Sequence, residues 1–203
     1  DMPAGPSEVC VLADKSANPA FIAADLLSQA EHGTDSQVLL ITDSEDILTQ
    51  VLNEITSQLR GLTRNEIASE ALKSSKAVLV SDLNIGMNLA NAYAAEHLII
   101  ASENAADYIS SIKHAGSVFL GNYTPESAGD YASGTNHTLP TNGYARAYSG
   151  VSLDSFVKKV TFQQITQKGI QNLGNTIITM AEAEGLDAHA AAVKVRLKTI
   201  NNV

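Results

Sequence analysis

Along residues 7–121 the apolar positions fall in short continuous runs, separated by stretches with helical period. SEVCVLA (7–13), SQVLLIT (36–42), KAVLVS (76–81), HLIIAS (97–102) and SVFLG (117–121) read as strands. The segments between them read as helices. Asn18-Pro19 caps and opens the first, with proline at the position where its missing N–H costs nothing. That helix runs through FIAADLLSQAEH and is expected to stop at Gly33. Asp43 and Ser44 supply a cap for a helix reaching about Arg60, and Arg64 to Ser74 forms another. DLNIGMNLANAYA (82–94) directs Leu83, Met87 and Leu89 to the core, and NAADYISSIKH (104–114) is a further helix. Strands that are apolar along their whole length need cover on both faces, which predicts an α/β fold with a mostly parallel sheet.

From Asn122 to Gly150 the pattern breaks into a Gly-, Ser-, Thr- and Tyr-rich stretch too long for a mere connection, and Asp130, Asn136 and His137 within it are chemically capable. From Leu153 onward the chain turns helical in three pieces, DSFVKKV, ITQKGIQNLGNTIITMAEAEG and DAHAAAVKVRLKTI, with Gly185 ending the second and Asp187 able to cap the third. The expected organisation is an α/β domain over 1–150 followed by a helical C-terminal arm over 151–203.

Composition narrows the function. The 203 residues carry 13 Lys+Arg against 22 Asp+Glu, a net charge of −9, which repels a phosphate backbone and argues against nucleic acid. No apolar run is long enough for a membrane span. The one cysteine, Cys10, excludes an intrachain disulfide and multi-cysteine zinc patterns. With no basic and apolar leader at the start, the cytoplasm is the expected compartment, a plastid being the alternative. Glycine-rich dinucleotide and Walker fingerprints are absent.

The candidate ligands are few. Gln29 and His32 lie three apart near the end of one helix, where both can reach one ion; capping of the helix end by His32 is the simpler reading of that spacing. Glu96-His97 stands at a helix-to-strand junction, where a carboxylate and an imidazole can divide acid and base roles, or can be a surface acid beside a half-buried ring. Asp130 sits between Gly129 and Gly134, and Glu184 and His189 flank Gly185 in the helical tail, a placement suited to contact with another subunit or to solvated helix ends. His114 carries no role.

The strings containing these residues are more specific than the residues alone. DMPAGPSEV, DLLSQAEHG with DSQV, YA-EHLII, AGSVFLG, YTPESAGDYASGTNHTLPT with GYAR, and AEGLDAH together resemble histidinol dehydrogenase, from the first residue almost to the last. The likeness is to the C-terminal part of that family's chain, so a further N-terminal portion is expected to be missing here.

The resemblance implies a Rossmann-like sheet and an enzyme of histidine biosynthesis that oxidises L-histidinol through bound L-histidinal to L-histidine in two NAD-dependent steps. It implies one Zn2+ per active site, held by the residues matching Gln29, His32, Asp130 and His189. His97 is implied to take the hydroxyl proton, and Glu96 to activate the water that hydrates the aldehyde. Ser7, Gln29, His32, His97, Asp130, Glu184 and His189 match substrate-contacting positions, and His137 has a supporting place. The implied assembly is a homodimer in which the arm carries Glu184 and His189 into the partner's site. NAD contacts are expected in the portion that is missing, so no cofactor-binding residue is assigned and the chain alone is expected to be inactive.

Two departures stand out: Ala95 replaces the family's usual Pro, which should loosen the entry to Glu96-His97, and Asn142 replaces a usual Tyr. Two other functions are compatible with the residues. One is a non-catalytic zinc-binding dimerisation module; the other is zinc-dependent hydrolysis with Glu96 activating water.

Overall fold

The structure, a computed structural model, describes residue 3 and residues 5–201. Residues 1, 2 and 4 of the opening string therefore lie outside the described residues. The chain divides into two compact units, 1–156 and 157–203.

The first unit is built on five strands, β1 (Glu8–Ala13), β2 (Gln37–Thr42), β3 (Lys76–Leu79), β4 (His97–Ala101) and β5 (Ser117–Leu120), all paired in parallel in the order β3-β2-β1-β4-β5. This is the Rossmann-like α/β arrangement, with the order reversing between β1 and β4. Strand alternation splits the apolar residues into two cores. Val9, Val11, Ala13, Ile99 and Ala101 face α1 (Pro19–Ala30), α2 (Glu45–Leu59) and α3 (Asn65–Ser74), meeting Ile22, Leu26, Val51, Ala68 and Ala71. Cys10, Leu12, Leu98 and Ile100 face α4 (Leu83–Tyr93) on the other side, meeting Leu83, Met87 and Ala90. Gly86 lets α4 approach closely, because a Cβ there would stand 2.7 Å from Leu12 Cδ1 and 3.0 Å from Ile41 Cγ2.

Caps form where the side chains dictate. Asn18 accepts from the Ala20 amide, Ser44 from Ile47, and Asp82 from Asn84 and Ile85. Several expectations need correction. The first helix ends at Ala30, and Gly33 is not its left-handed stop: the Glu31 and His32 amides close the last turn on the carbonyls of Leu27 and Gln29. Leu89 is 37% exposed, since it lies round the helix from the Leu83–Met87–Ala90 face. Residues 105–111 make 3-10 turns rather than an α-helix. The 122–150 stretch contains a short helix, α5 (Glu126–Tyr131), and a 3-10 turn over Tyr144–Arg146.

DSFVKKV is not an α-helix: only Leu153–Phe156 forms a 3-10 turn, and 157–166 has no regular structure. Val157 and Val160, β-branched and exposed, give that run no buried face to order it. In the second unit α6 (Gln167–Ala183) begins after Thr166, whose hydroxyl caps it, and α7 (Asp187–Asn201) follows Gly185 at φ 71°. The two helices pack on each other through Gly174, Ala181, Ala190 and Val193, and a Cβ on Gly174 would come within 2.8 Å of Leu197 Cδ1.

Candidate active site

Parallel register fixes the first feature of the site. Val9 is paired with His97, so Glu8 and Glu96, the residues ahead of them, lie side by side at the amino ends of β1 and β4. Their amides and carboxylates bond reciprocally: the Glu8 amide donates to Glu96 Oε2 at 3.0 Å, and the Glu96 amide to Glu8 Oε2 at 3.4 Å. Alternation then turns His97 to the same face as Ile99 and Ala101, towards α1 and α5, where its ring lies 5.8 Å from that of Phe119. His97 Nδ1 is 3.1 Å from the Glu8 carbonyl, which can only accept, so the neutral ring carries its proton on Nδ1 and leaves the Nε2 lone pair free. Nε2 faces Asp130 Oδ1 at 3.9 Å, and Nδ1 is 3.6 Å from Glu96 Oε2.

The other half of the site comes from the end of α1 and from α5. Gln29 is in the last turn of α1, whereas His32 lies just past the helix end, so the two do not share a helix face as the spacing suggested. Gln29 is 1% exposed, and two acceptors on Glu126 assign its side-chain amide the orientation in which the nitrogen donates to both carboxylate oxygens, at 3.1 and 3.2 Å. Glu126 also accepts from the Ser28 hydroxyl at 2.9 Å. Ligand atoms of His32, Glu126 and Asp130 lie within 4.8 Å of one another, a grouping that can hold a metal ion.

Burial controls the titration of this network. It pushes the Glu96 carboxyl up to about 7, against the bond from the Glu8 amide and with the charges of Glu8 and Asp130 adding to the rise. Burial likewise raises Glu126, with the Ser28 hydroxyl opposing and the charges of Asp130 and Asp25 adding. Asp25, one turn back on α1, is raised to about 6 by burial. His97 is lowered by burial, so the ring is neutral at neutral pH. The arrangement therefore presents a neutral imidazole, a carboxylic acid poised near neutrality and a pocket of oxygen and nitrogen donors.

Of the residues singled out in the sequence, Gln29, His32, Glu96, His97 and Asp130 converge at the amino edge of the sheet. Ser7 directly precedes Glu8, half-buried, with its carbonyl accepting the Gln37 amide. His137 is exposed in the stretch after α5. Glu184 and His189 belong to the second unit, both exposed, Glu184 at the C-cap of α6 and His189 in the first turn of α7. Asn142 adopts φ 54°, a left-handed conformation that asparagine tolerates well, and its amide donates to Glu8 Oε1 at 2.9 Å.

Sequence reasoning missed Glu8 and Glu126. Glu8 was visible as an acid heading an otherwise apolar strand. Glu126 was visible as the partner of Asp130 at i,i+4, a signal that registers only once ESAGDY is read as helical.

The opposite edge of the sheet is built differently. Open α/β sheets hold ligands at the carboxyl ends of their strands, where the strand order reverses. At that position here Asp14 accepts from the hydroxyls of Ser16 and Ser102, both at 2.5 Å, and the Ser16 hydroxyl accepts from the Glu103 amide.

Comparison with known proteins completes the description. The family model "Histidinol dehydrogenase" matches residues 1–197. The histidinol dehydrogenase of Bacteroides thetaiotaomicron is 62% identical over 200 residues, covering 98% of this chain and 47% of that protein. The chloroplastic histidinol dehydrogenase of Arabidopsis thaliana is 57% identical over 201 residues, covering 98% of this chain and 43% of that protein. The crystal structure of histidinol dehydrogenase from Elizabethkingia anophelis superposes with a TM-score of 0.96 at 63% identity, covering 99% of this chain and 46% of that one. The chain spans about half the length of the curated relatives it matches.

Proposed function

Because the chain belongs to the histidinol dehydrogenase family, we propose that it supplies the metal-binding and acid/base half of a zinc-dependent, NAD-linked oxidation of L-histidinol through L-histidinal to L-histidine. The observation that carries this reading is the convergence of Gln29, His32, Asp130, Glu96 and His97 at one edge of the sheet.

The donor set fits zinc. Imidazole, amide and carboxylate donors without thiolate suit the ion and leave room for substrate nitrogen. Gln29 and His32 from the end of α1 and Asp130 from α5 would hold it, with His189 as the fourth ligand from a second copy of the chain in a homodimer. When bound, the ion would orient the imidazole and amine of histidinol.

The chain's own residues account for the proton movements. Neutral His97, its Nδ1–H held by the Glu8 carbonyl, takes the hydroxyl proton on Nε2, and the imidazolium formed is stabilised by Asp130 at 3.9 Å. Glu96, with its carboxyl near 7, removes a proton from the water that hydrates the aldehyde. Ser7 and Glu184 are assigned to substrate contact. The arm carrying Glu184 and His189 acts in a partner's site.

The β1–α1 turn does not fit a dinucleotide pyrophosphate. Residues 14–19 contain no glycine, Asp14 is acidic, and Pro19 lacks the N–H that the helix start would offer. NAD contacts are assigned to segments that the longer relatives carry outside the matched length. The protein is assigned to the cytoplasm, with a plastid as the alternative.

Calorimetric titration of L-histidinol into the chain, with stoichiometric zinc and again after chelation, tests the reading. Zinc-dependent binding is expected. Binding that ignores zinc, or zinc binding that never admits histidinol, would overturn it.

A further inference from the structure

We propose that Glu8 is a positioning residue for the Glu96–His97 pair, fastening the start of β1 to the start of β4 and to the turn at Asn142. The proposal rests on the reading of that pair as the acid/base groups.

Glu8 is 4% exposed and makes four bonds to the site from one position. Its amide holds the Glu96 carboxylate at 3.0 Å, and its carbonyl holds His97 Nδ1 at 3.1 Å. Its carboxylate accepts the amides of Glu96 at 3.4 Å and Asn142 at 2.9 Å. The main chain of Glu8 thus orients the two reacting side chains, and its own side chain holds that main chain in place.

The residue type follows from the task. Two backbone amides converge on one buried point, and a carboxylate offers both oxygens as acceptors without presenting a donor to either. Glutamine would turn its NH2 towards one of those amides. Aspartate is one methylene shorter. Burying a carboxylate for this purpose carries a desolvation cost, seen in the raised Glu8 carboxyl, which the two amides partly offset. A purely local strand-end role would need neither the carbonyl on His97 nor the amide on Glu96.

The consequence for chemistry lies in the imidazole. As long as the Glu8 carbonyl stays at Nδ1, the ring is confined to the tautomer whose Nε2 lone pair faces Asp130 and the metal cluster. If the start of β1 drifts, both tautomers become accessible and the base points the wrong way for part of the time.

The test uses the whole chain, labelled with 15N at histidine and backbone, as wild type, Glu8→Gln and Glu8→Ala. Ring 15N shifts report the His97 tautomer, and amide hydrogen exchange reports the Glu96 and Asn142 N–H groups. In the wild type we expect His97 in the Nδ1–H form and both amides protected.

In Glu8→Ala both tautomers should be populated, and the two amides should exchange about tenfold faster or more, the loss of one hydrogen bond. Protection at Val11, inside the strand, should be unchanged. Glu8→Gln should fall between, keeping one acceptor. If Glu8→Ala does not fold, Glu8→Gln carries the comparison alone. A single unshifted His97 tautomer with unchanged exchange at Glu96 in a folded variant would overturn the proposal. Failure of the wild type to bind histidinol would remove the dehydrogenase reading while leaving this result to stand.

Discussion

Gln29 on α1 meets both carboxylate oxygens of Glu126 on α5, at 3.2 and 3.1 Å, in the amide orientation that the two acceptors assign, nitrogen towards the carboxylate. An amide can ligate a metal only through oxygen, so a partner that takes the nitrogen decides which way the oxygen faces. Glu126 does this from a fully buried position, at the head of the short helix that also carries Asp130.

Replacing Glu126 by Gln should therefore weaken metal binding without removing any of the four assigned ligands. A loss of about tenfold or more in zinc affinity is expected, the usual cost of an orienting partner. Competition against a chromophoric chelator measures it. Unchanged affinity would mean that Gln29 orients itself.

Glu96→Gln should separate the two oxidations. Loss of a general base costs about 100-fold or more, so oxidation of L-histidinal should fall by that amount while the alcohol step, which uses His97, is affected less. In an assembly that turns over, the wild-type aldehyde step should rise with pH through about 7, where the Glu96 carboxyl ionises. An ordinary glutamate would level off near pH 5, so a profile flat above that value would contradict the assignment.

The same titration predicts a stability effect in the metal-free chain. Glu96 binds its proton up to about 7 when folded, against 4.5 for an ordinary glutamate, so between those values the folded chain holds more proton than the unfolded one. Stability from this group is complete below about 4.5 and is lost as pH rises to about 7. His97 opposes this: its value is lowered in the fold, so its share is lost as pH falls below 6.5. Glu96→Gln should thus raise stability at pH 7.5 by up to about 3 kcal/mol relative to wild type and lose that advantage below pH 4.5. Denaturant melts at the two pH values measure the difference.

Gly116→Ala tests how tightly the start of β4 is held. A Cβ there would stand 2.6 Å from the Glu96 carbonyl oxygen and 3.1 Å from Leu139 Cβ, and neither neighbour is the free end of a flexible chain. A loss of about 1–3 kcal/mol is expected, as for other overpacking, with the Glu96 amide exchanging faster. A variant as stable as wild type would show that the 116 turn can slide away from the strand.

Much of this protein is written in local pattern. Continuous apolar runs marked all five strands, and Asn18-Pro19 and Ser44 marked helix starts, because strand burial and capping are settled within a few residues. The matched motif strings carried the family and the candidate residues Gln29, His32, Glu96, His97 and Asp130.

Periodicity failed where helices were short or tertiary cover was absent: it missed α5, made an α-helix of the 3-10 turns at 105–111, and extended helix over 157–160. What no local pattern could decide was which amino ends would adjoin. The parallel register of β1 with β4 puts Glu8 against Glu96, and the packing of α1 on α5 puts Gln29 against Glu126. These acids look like ordinary charged residues in one dimension. They become buried, hydrogen-bonded and shifted in pKa only when distant segments close over them, since desolvation is a property of the assembled neighbourhood and not of the residue.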